Sequence, residues 1–169
     1  MYVPSDDTIL LADAVKRYDG EWALEIGAGS CSVAGALRKN YRVVVACDID
    51  FSALQYCKLL FRDLCLVCCD GANPFRKQFD LIVSNPPYLP GMPEDDRAIY
   101  GGPLGIEKTI GFLESAVPLL NRGGAILIVA SSLSDLPSLI RHILELKLVA
   151  KTISRKKMFF ETISVIEIK

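Results

Sequence analysis

Asn85-Pro86-Pro87-Tyr88 concentrates more chemistry than any other stretch of this sequence. Two consecutive prolines fix two φ angles and leave carbonyl oxygens as the only backbone polar groups at Pro86 and Pro87. Proline also keeps the residue before it out of the helical region, so Asn85 is held extended. The product is a stiff turn offering an amide oxygen from Asn85, a carbonyl oxygen from Pro86 and an aromatic face from Tyr88. That set suits methylation of a planar NH2 group, whose nitrogen is a poor nucleophile because its lone pair is delocalised. Two oxygens that each accept one N–H would aim the group and enrich its nitrogen, while Tyr88 stacks on it. Positioning and oriented dipoles then supply most of the catalysis, with no metal and no strong base.

A second constellation points to the other reactant. Glu25-Ile26-Gly27-Ala28-Gly29 gives a turn where missing side chains let a ligand approach the backbone. Asp48 closes the next apolar run, where a carboxylate can accept two hydrogen bonds from the cis-diol of a ribose. Asp70 closes the third and is placed to reach the exocyclic amine of an adenine. The dinucleotide fingerprint needs a third glycine where Ser32 stands, so an adenosine ligand without pyrophosphate fits better than NAD. No metal site is expected. Cys65-Leu66-Val67-Cys68 has zinc-type spacing, but there is no second pair, and the only histidine, His142, is far along the chain. The six cysteines read instead as small buried apolar residues of a reducing compartment, not as a disulfide framework.

These residues need a scaffold, and the sequence supplies one. Short apolar runs at 22–26, 42–47, 64–68, 79–83 and 125–130 end in Gly, Asp, Asn or Ser. Helical patterns separate them at 32–39, 52–61, 104–120 and 136–146, the third stopped by Asn121-Arg122-Gly123-Gly124. Continuous apolar runs indicate strands covered on both faces, hence a parallel sheet between helix layers. The end differs: 148–154 and 162–168 flank a basic turn at Arg155-Lys156-Lys157, too close for a parallel crossover, so they form an antiparallel hairpin. The expected fold is α/β, a doubly wound, mostly parallel, Rossmann-like seven-stranded sheet with an antiparallel last strand, as one domain over residues 1–169. Ligands of such sheets bind beyond the carboxyl ends of the strands, where the runs above place their polar residues.

Composition agrees. Of 169 residues 51% are hydrophobic and the net charge is −1, which excludes a disordered chain and argues against one gripping long nucleic acid. The first residues carry no signal-peptide pattern and no run reaches membrane-spanning length, so a cytoplasmic protein is expected.

Taken together these motifs resemble the class I S-adenosylmethionine-dependent methyltransferases with an N-P-P-Y motif. More narrowly, the chain is similar to the short archaeal and eukaryotic branch of the release-factor glutamine N5-methyltransferases, which lacks the N-terminal helical domain of the bacterial enzymes. The opening Tyr2-Val3-Pro4-Ser5-Asp6-Asp7-Thr8, Gly101-Gly102-Pro103-Leu104-Gly105 and Glu161-Thr162-Ile163-Ser164-Val165 carry that resemblance beside the diproline motif. It implies S-adenosyl-L-methionine as cofactor, with Asp7 and Thr8 closing its site. Glu25, Gly27 and Gly29 would line its methionine part, Asp48 its ribose and Asp70 its adenine, with Asn85 at the border. Asn85, Pro86 and Tyr88 would hold the target amide. Two positions depart from the family pattern: Cys31 stands where relatives usually have glycine, and Asp6 where they have glutamate.

The resemblance also implies a class I peptide release factor as protein substrate and a small zinc-binding activator subunit. That subunit would add to the edge of the third strand, which is apolar (Leu64 to Cys68) and must be covered by a partner or by its own helix. The same four-residue motif serves adenine-N6 and cytosine-N4 methyltransferases, so it does not choose between an amide and a base. The lack of a separate target-recognition domain, the net charge and the acidic Glu94-Asp95-Asp96 argue against nucleic acid as direct substrate. A methyltransferase-like binding module without catalysis is the rival of another class, and intact Gly27, Asp48, Asn85 and Tyr88 count against it.

Overall fold

The computed structural model describes residues 5–92, 94, 96 and 98–169. Tyr2, Val3 and Pro4 of the opening motif, and Asp95 of the acidic segment, lie outside them.

Seven strands form the central sheet among the described residues: β1 (Gly20–Ile26), β2 (Tyr41–Asp48), β3 (Cys65–Cys68), β4 (Phe79–Ser84), β7 (Leu120–Ser131), β8 (Ala150–Lys157) and β9 (Thr162–Ile168). Their order is β3-β2-β1-β4-β7-β9-β8, parallel as far as β7, with β9 antiparallel to both its neighbours. Two short strands, β5 (Leu89–Pro90) and β6 (Tyr100–Gly102), pair separately beside the diproline turn. The expected architecture is thus found, with β3 at the edge.

Alternate side chains of each central strand enter two different cores, which is why the apolar runs are continuous rather than alternating. On one face Ala23, Leu81 and Leu127 pack with helices α1 (Asp6–Ala14), α2 (Ser32–Leu37) and α3 (Phe51–Leu60). On the other, Leu24, Ile82, Ile126 and Ile128 pack with α4 (Glu107–Ala116) and α5 (Leu136–Glu145). None of these helices is long and apolar enough to cross a membrane.

Three expectations need correction, and one helix stands where the sequence reading placed none. Residues 6–14 form a helix that apolar periodicity does not announce, because its buried face mixes Leu11 and Ala14 with polar Asp7 and Thr8 while Ile9 is exposed. The helix expected over 104–120 is only α4 and a 3-10 turn, since Gly102 and Gly105 take positive φ and Glu107 accepts from the Leu104 and Ile106 N–H groups. Asn121-Arg122-Gly123-Gly124 does not stop a helix but extends β7 backward, where its register on β4 shifts between Phe79 and Leu81. Arg155-Lys156-Lys157 lies within β8 rather than in the turn, which is 158–161 instead.

The cysteine reading also fails in part. Cys31 and Cys57 are disulfide-bonded, with Cα atoms 5.7 Å apart; Cys47, Cys65, Cys68 and Cys69 are free. Cys31 caps α2 and Cys57 lies in α3, and both are buried in the same core. Their approach is a tertiary contact across 26 residues that spacing does not reveal. Cys31 has φ 56°, the left-handed region that glycine occupies freely, so the glycine that the resemblance leads one to expect at this position would fit the turn without strain.

Candidate active site

Three neighbouring strands end at one level. Ile26 of β1 pairs with Cys47 of β2 on one side and Ser84 of β4 on the other, so Gly27, Asp48 and Asn85 follow side by side. This is the switch point of the sheet, where chain connections run to opposite faces. The glycine turn is fastened to β2, since the Gly27 and Ala28 N–H groups both donate to the Cys47 carbonyl at 2.9 Å. Gly27 has φ 74°, and a Cβ added there would meet nothing within 4 Å. Open space beside a left-handed glycine is what a bound ligand would fill.

Asp48 braces this turn. One of its oxygens accepts from the Gly29 N–H and the other from the Asp50 N–H, each at 2.8 Å. Each carboxylate oxygen keeps acceptor capacity for a further donor. Asp70 is exposed beyond β3, and the preceding Cys69 N–H donates to the Asp48 carbonyl. Glu25 is buried and accepts from the Ala34 N–H at 2.8 Å. Burial, aided by nearby Asp48 and opposed by that N–H, raises its pKa to about 8. Burial likewise pushes the Cys47 thiol up.

On the β4 side, α1 meets the diproline turn. The Asn85 amide Nδ2 donates to Thr8 Oγ1 at 3.2 Å, and the Tyr88 hydroxyl donates to Asp7 Oδ2 at 3.0 Å. Asp7 and Thr8 are both buried, and Asp7 Oδ1 accepts from the Thr8 N–H and from the Ser5 hydroxyl. With Nδ2 engaged, Asn85 Oδ1 is shut off from solvent and has no hydrogen-bond partner among the described residues. Pro86 is buried.

The glycine-rich segment after the loop has a steric reason to be there. A Cβ on Gly101 would fall 2.6 Å from the Pro87 carbonyl oxygen, and one on Gly105, at φ 71°, 2.4 Å from that of Tyr88. Only glycine lets this segment close over the turn. Ser134 is a supporting residue that the sequence reading missed: its hydroxyl donates to the Tyr88 carbonyl at 2.6 Å. The signal was present, because Asp135 followed by Leu136-Pro137 marks a helix start just beyond β7 and so puts Ser134 at the carboxyl edge. The structure therefore brings Asp7, Thr8, Asn85, Pro86 and Tyr88 into one group and Glu25, Gly27, Gly29 and Asp48 into its neighbour, with Asp70 at the outer rim.

Sheet order, antiparallel finish and this edge define a class I, Rossmann-like methyltransferase. The chain belongs to the methyltransferase small domain family, whose model matches residues 6–159. It is 30% identical over 179 aligned residues to the "putative protein N5-glutamine methyltransferase" of Methanocaldococcus jannaschii, covering 98% of this chain and 90% of that protein. A release factor glutamine methyltransferase of Rhodopirellula baltica is 32% identical over 130 residues, covering 64% of this chain; the match spans only 44% of that protein. Among solved structures, a chain of the E. cuniculi Mtq2-Trm112 complex, responsible for methylation of the eRF1 translation termination factor, superposes with a TM-score of 0.84. It is 26% identical, and the match covers 99% of this chain and 97% of that one.

Proposed function

We propose that this chain transfers a methyl group from S-adenosyl-L-methionine to the side-chain amide nitrogen of a glutamine, the one in the Gly-Gly-Gln loop of a class I peptide release factor. The observation that carries this reading is the place of Asn85 at the carboxyl edge beside Gly27 and Asp48, with its Oδ1 lacking a hydrogen-bond partner among the described residues. A buried acceptor left unpaired costs about 1–3 kcal/mol, and a substrate N–H is the donor that would recover it. Thr8 holds the other end of the same amide, so Asn85 meets an incoming NH2 with oxygen rather than nitrogen. The Pro86 carbonyl takes the second N–H, and Tyr88, fixed at its hydroxyl by Asp7 and at its carbonyl by Ser134, stacks against the flat group.

The residues at the neighbouring edge suit the cofactor. Gly27 leaves room for it, Glu25 and the glycine turn flank its methionine part, Asp48 accepts from the ribose and Asp70 from the adenine amine. Bound there, it would supply an electrophilic methyl on a sulfonium. Asn85 and Pro86, each accepting one N–H, would aim the amide nitrogen and enrich it in electron density. Its bond to the methyl carbon would form as the carbon–sulfur bond breaks, the cofactor leaving as the neutral thioether and one N–H proton passing to water. Charge spreads during this step, so oriented dipoles lower the barrier without a base.

An activator subunit belongs to the same reading. Ile49, Phe51, Leu59 and Leu60 are exposed beside β3, which is itself only half covered by α3. Such an edge invites an added strand and an apolar cap, and the E. cuniculi relative is a two-protein complex. We take the partner to be a small zinc-binding protein seated there. Incubation with labelled cofactor, the release factor and its Gln→Ala variant tests the function. Label in the factor and none in the variant is expected; equal incorporation into both overturns it.

A further inference from the structure

The β8–β9 hairpin ends in the two most exposed large apolar side chains among the described residues, Phe159 at 91% and Phe160 at 84%. Their rings meet edge to face with centroids 4.7 Å apart, and exposed Arg155 and Lys157 precede them on the same strand. Neither ring contributes to a core cluster.

The register fixes where this tip stands. Ser84 of β4 pairs with Ile128, and β7 continues to Ser131, which pairs with Ile163 near the start of β9. The turn therefore projects beyond the carboxyl ends of the strands, the edge that carries Asn85. It is also tied to the diproline turn from two sides. Ser131 donates to the Glu161 carboxylate, while Ser132 and Thr162 exchange two hydrogen bonds at 3.0 and 2.9 Å; two residues on, Ser134 holds the Tyr88 carbonyl. On the other side Lys156 pairs with Asp6 at 2.7 Å, next to the Asp7 that holds the Tyr88 hydroxyl.

We propose that Phe159 and Phe160, with Arg155 and Lys157, form the docking surface for the folded protein that carries the target glutamine. They would contact an apolar and acidic patch beside its loop. The proposal rests on the glutamine-amide reading above and adds the source of its selectivity. Every glutamine presents the same NH2 group, so Asn85 and Pro86 alone would not distinguish one from another; discrimination must come from contacts remote from the reacting atom. Exposed aromatic side chains beside arginine are the usual anchors of such contacts. A polypeptide is favoured over a nucleic acid because the chain offers no broad cationic surface charge to a polyanion: its net charge is −1, and the segment after Tyr88 carries exposed Glu94 and Asp96.

The test is the double variant Phe159→Ala/Phe160→Ala, measured with and without the activator subunit. Substrates are the intact release factor and a short peptide spanning its Gly-Gly-Gln loop. The KM for the intact factor should rise about tenfold or more with kcat kept, while turnover of the peptide stays within twofold. Phe159→Leu/Phe160→Leu should recover most of the loss. An unchanged KM, or an equal loss with factor and peptide, overturns the proposal. So does a wild-type chain that binds single-stranded RNA through this tip, lost in the variant, with protein methylation unaffected. A wild-type chain that methylates neither factor nor peptide overturns the glutamine reading itself, and the proposed occupant with it.

Discussion

Replacing Asn85 with alanine should separate stability from activity in opposite directions. The substitution removes the Nδ2 bond to Thr8, worth about 1 kcal/mol, and also removes an acceptor whose unpaired burial costs about 1–3 kcal/mol. The net is a protein between equally stable and about 2 kcal/mol more stable. For a chain of this length that is a Tm unchanged or raised by up to about 6 °C. Activity goes the other way. Loss of one oriented group at the reacting centre of a dry site costs on the order of 10²–10³ in rate. Scanning calorimetry and initial rates of methyl incorporation into the release factor, on the same preparations, give both numbers. A Tm lowered by more than about 3 °C with the rate kept within tenfold would make Asn85 a structural residue and refute the reasoning.

Glu25 sets a pH dependence of stability. Its carboxyl keeps its proton to about pH 8 in the fold but releases it near the ordinary value of 4.5 when unfolded, so the unfolded chain binds fewer protons in between. Stability must then fall as pH rises from 4.5 to 8, by a few kcal/mol, and Glu25→Gln should abolish that slope in urea titrations. Gly105→Ala would drive a Cβ to 2.4 Å from the Tyr88 carbonyl oxygen at φ 71°; a loss of about 1–3 kcal/mol and a displaced Tyr88 with impaired turnover are expected from calorimetry and rates. Leu59 is 80% exposed on α3, so Leu59→Asp should leave the Tm of the chain alone within about 2 °C yet prevent co-purification of the activator subunit.

The sequence made the central sheet readable because strands buried on both faces leave unbroken apolar runs, and the residues ending those runs had to lie at the binding edge. Gly27, Asp48 and Asn85 follow from that logic alone. What it hid was set by tertiary contact. Helix α1 has no clean apolar stripe, so the bonds from Asn85 to Thr8 and from Tyr88 to Asp7 could not be foreseen from periodicity. Gly123-Gly124 looked like a helix stop, yet β7 runs through it; a Cβ on Gly124 would lie 2.8 Å from the Asp80 carbonyl oxygen, so close approach to β4 is what that glycine allows. The Cys31–Cys57 bond joins two helices whose proximity exists only in the folded chain.

The most direct test of the central claim locates the methyl group. The chain, with its activator subunit, is incubated with S-adenosylmethionine, the release factor and adenine-containing DNA in one mixture, and the products are mapped by fragmentation mass spectrometry. One added methyl on the side-chain nitrogen of the Gly-Gly-Gln glutamine, lost with Asn85→Ala, is the predicted result. A methylated base in the DNA with an unmodified glutamine would contradict it.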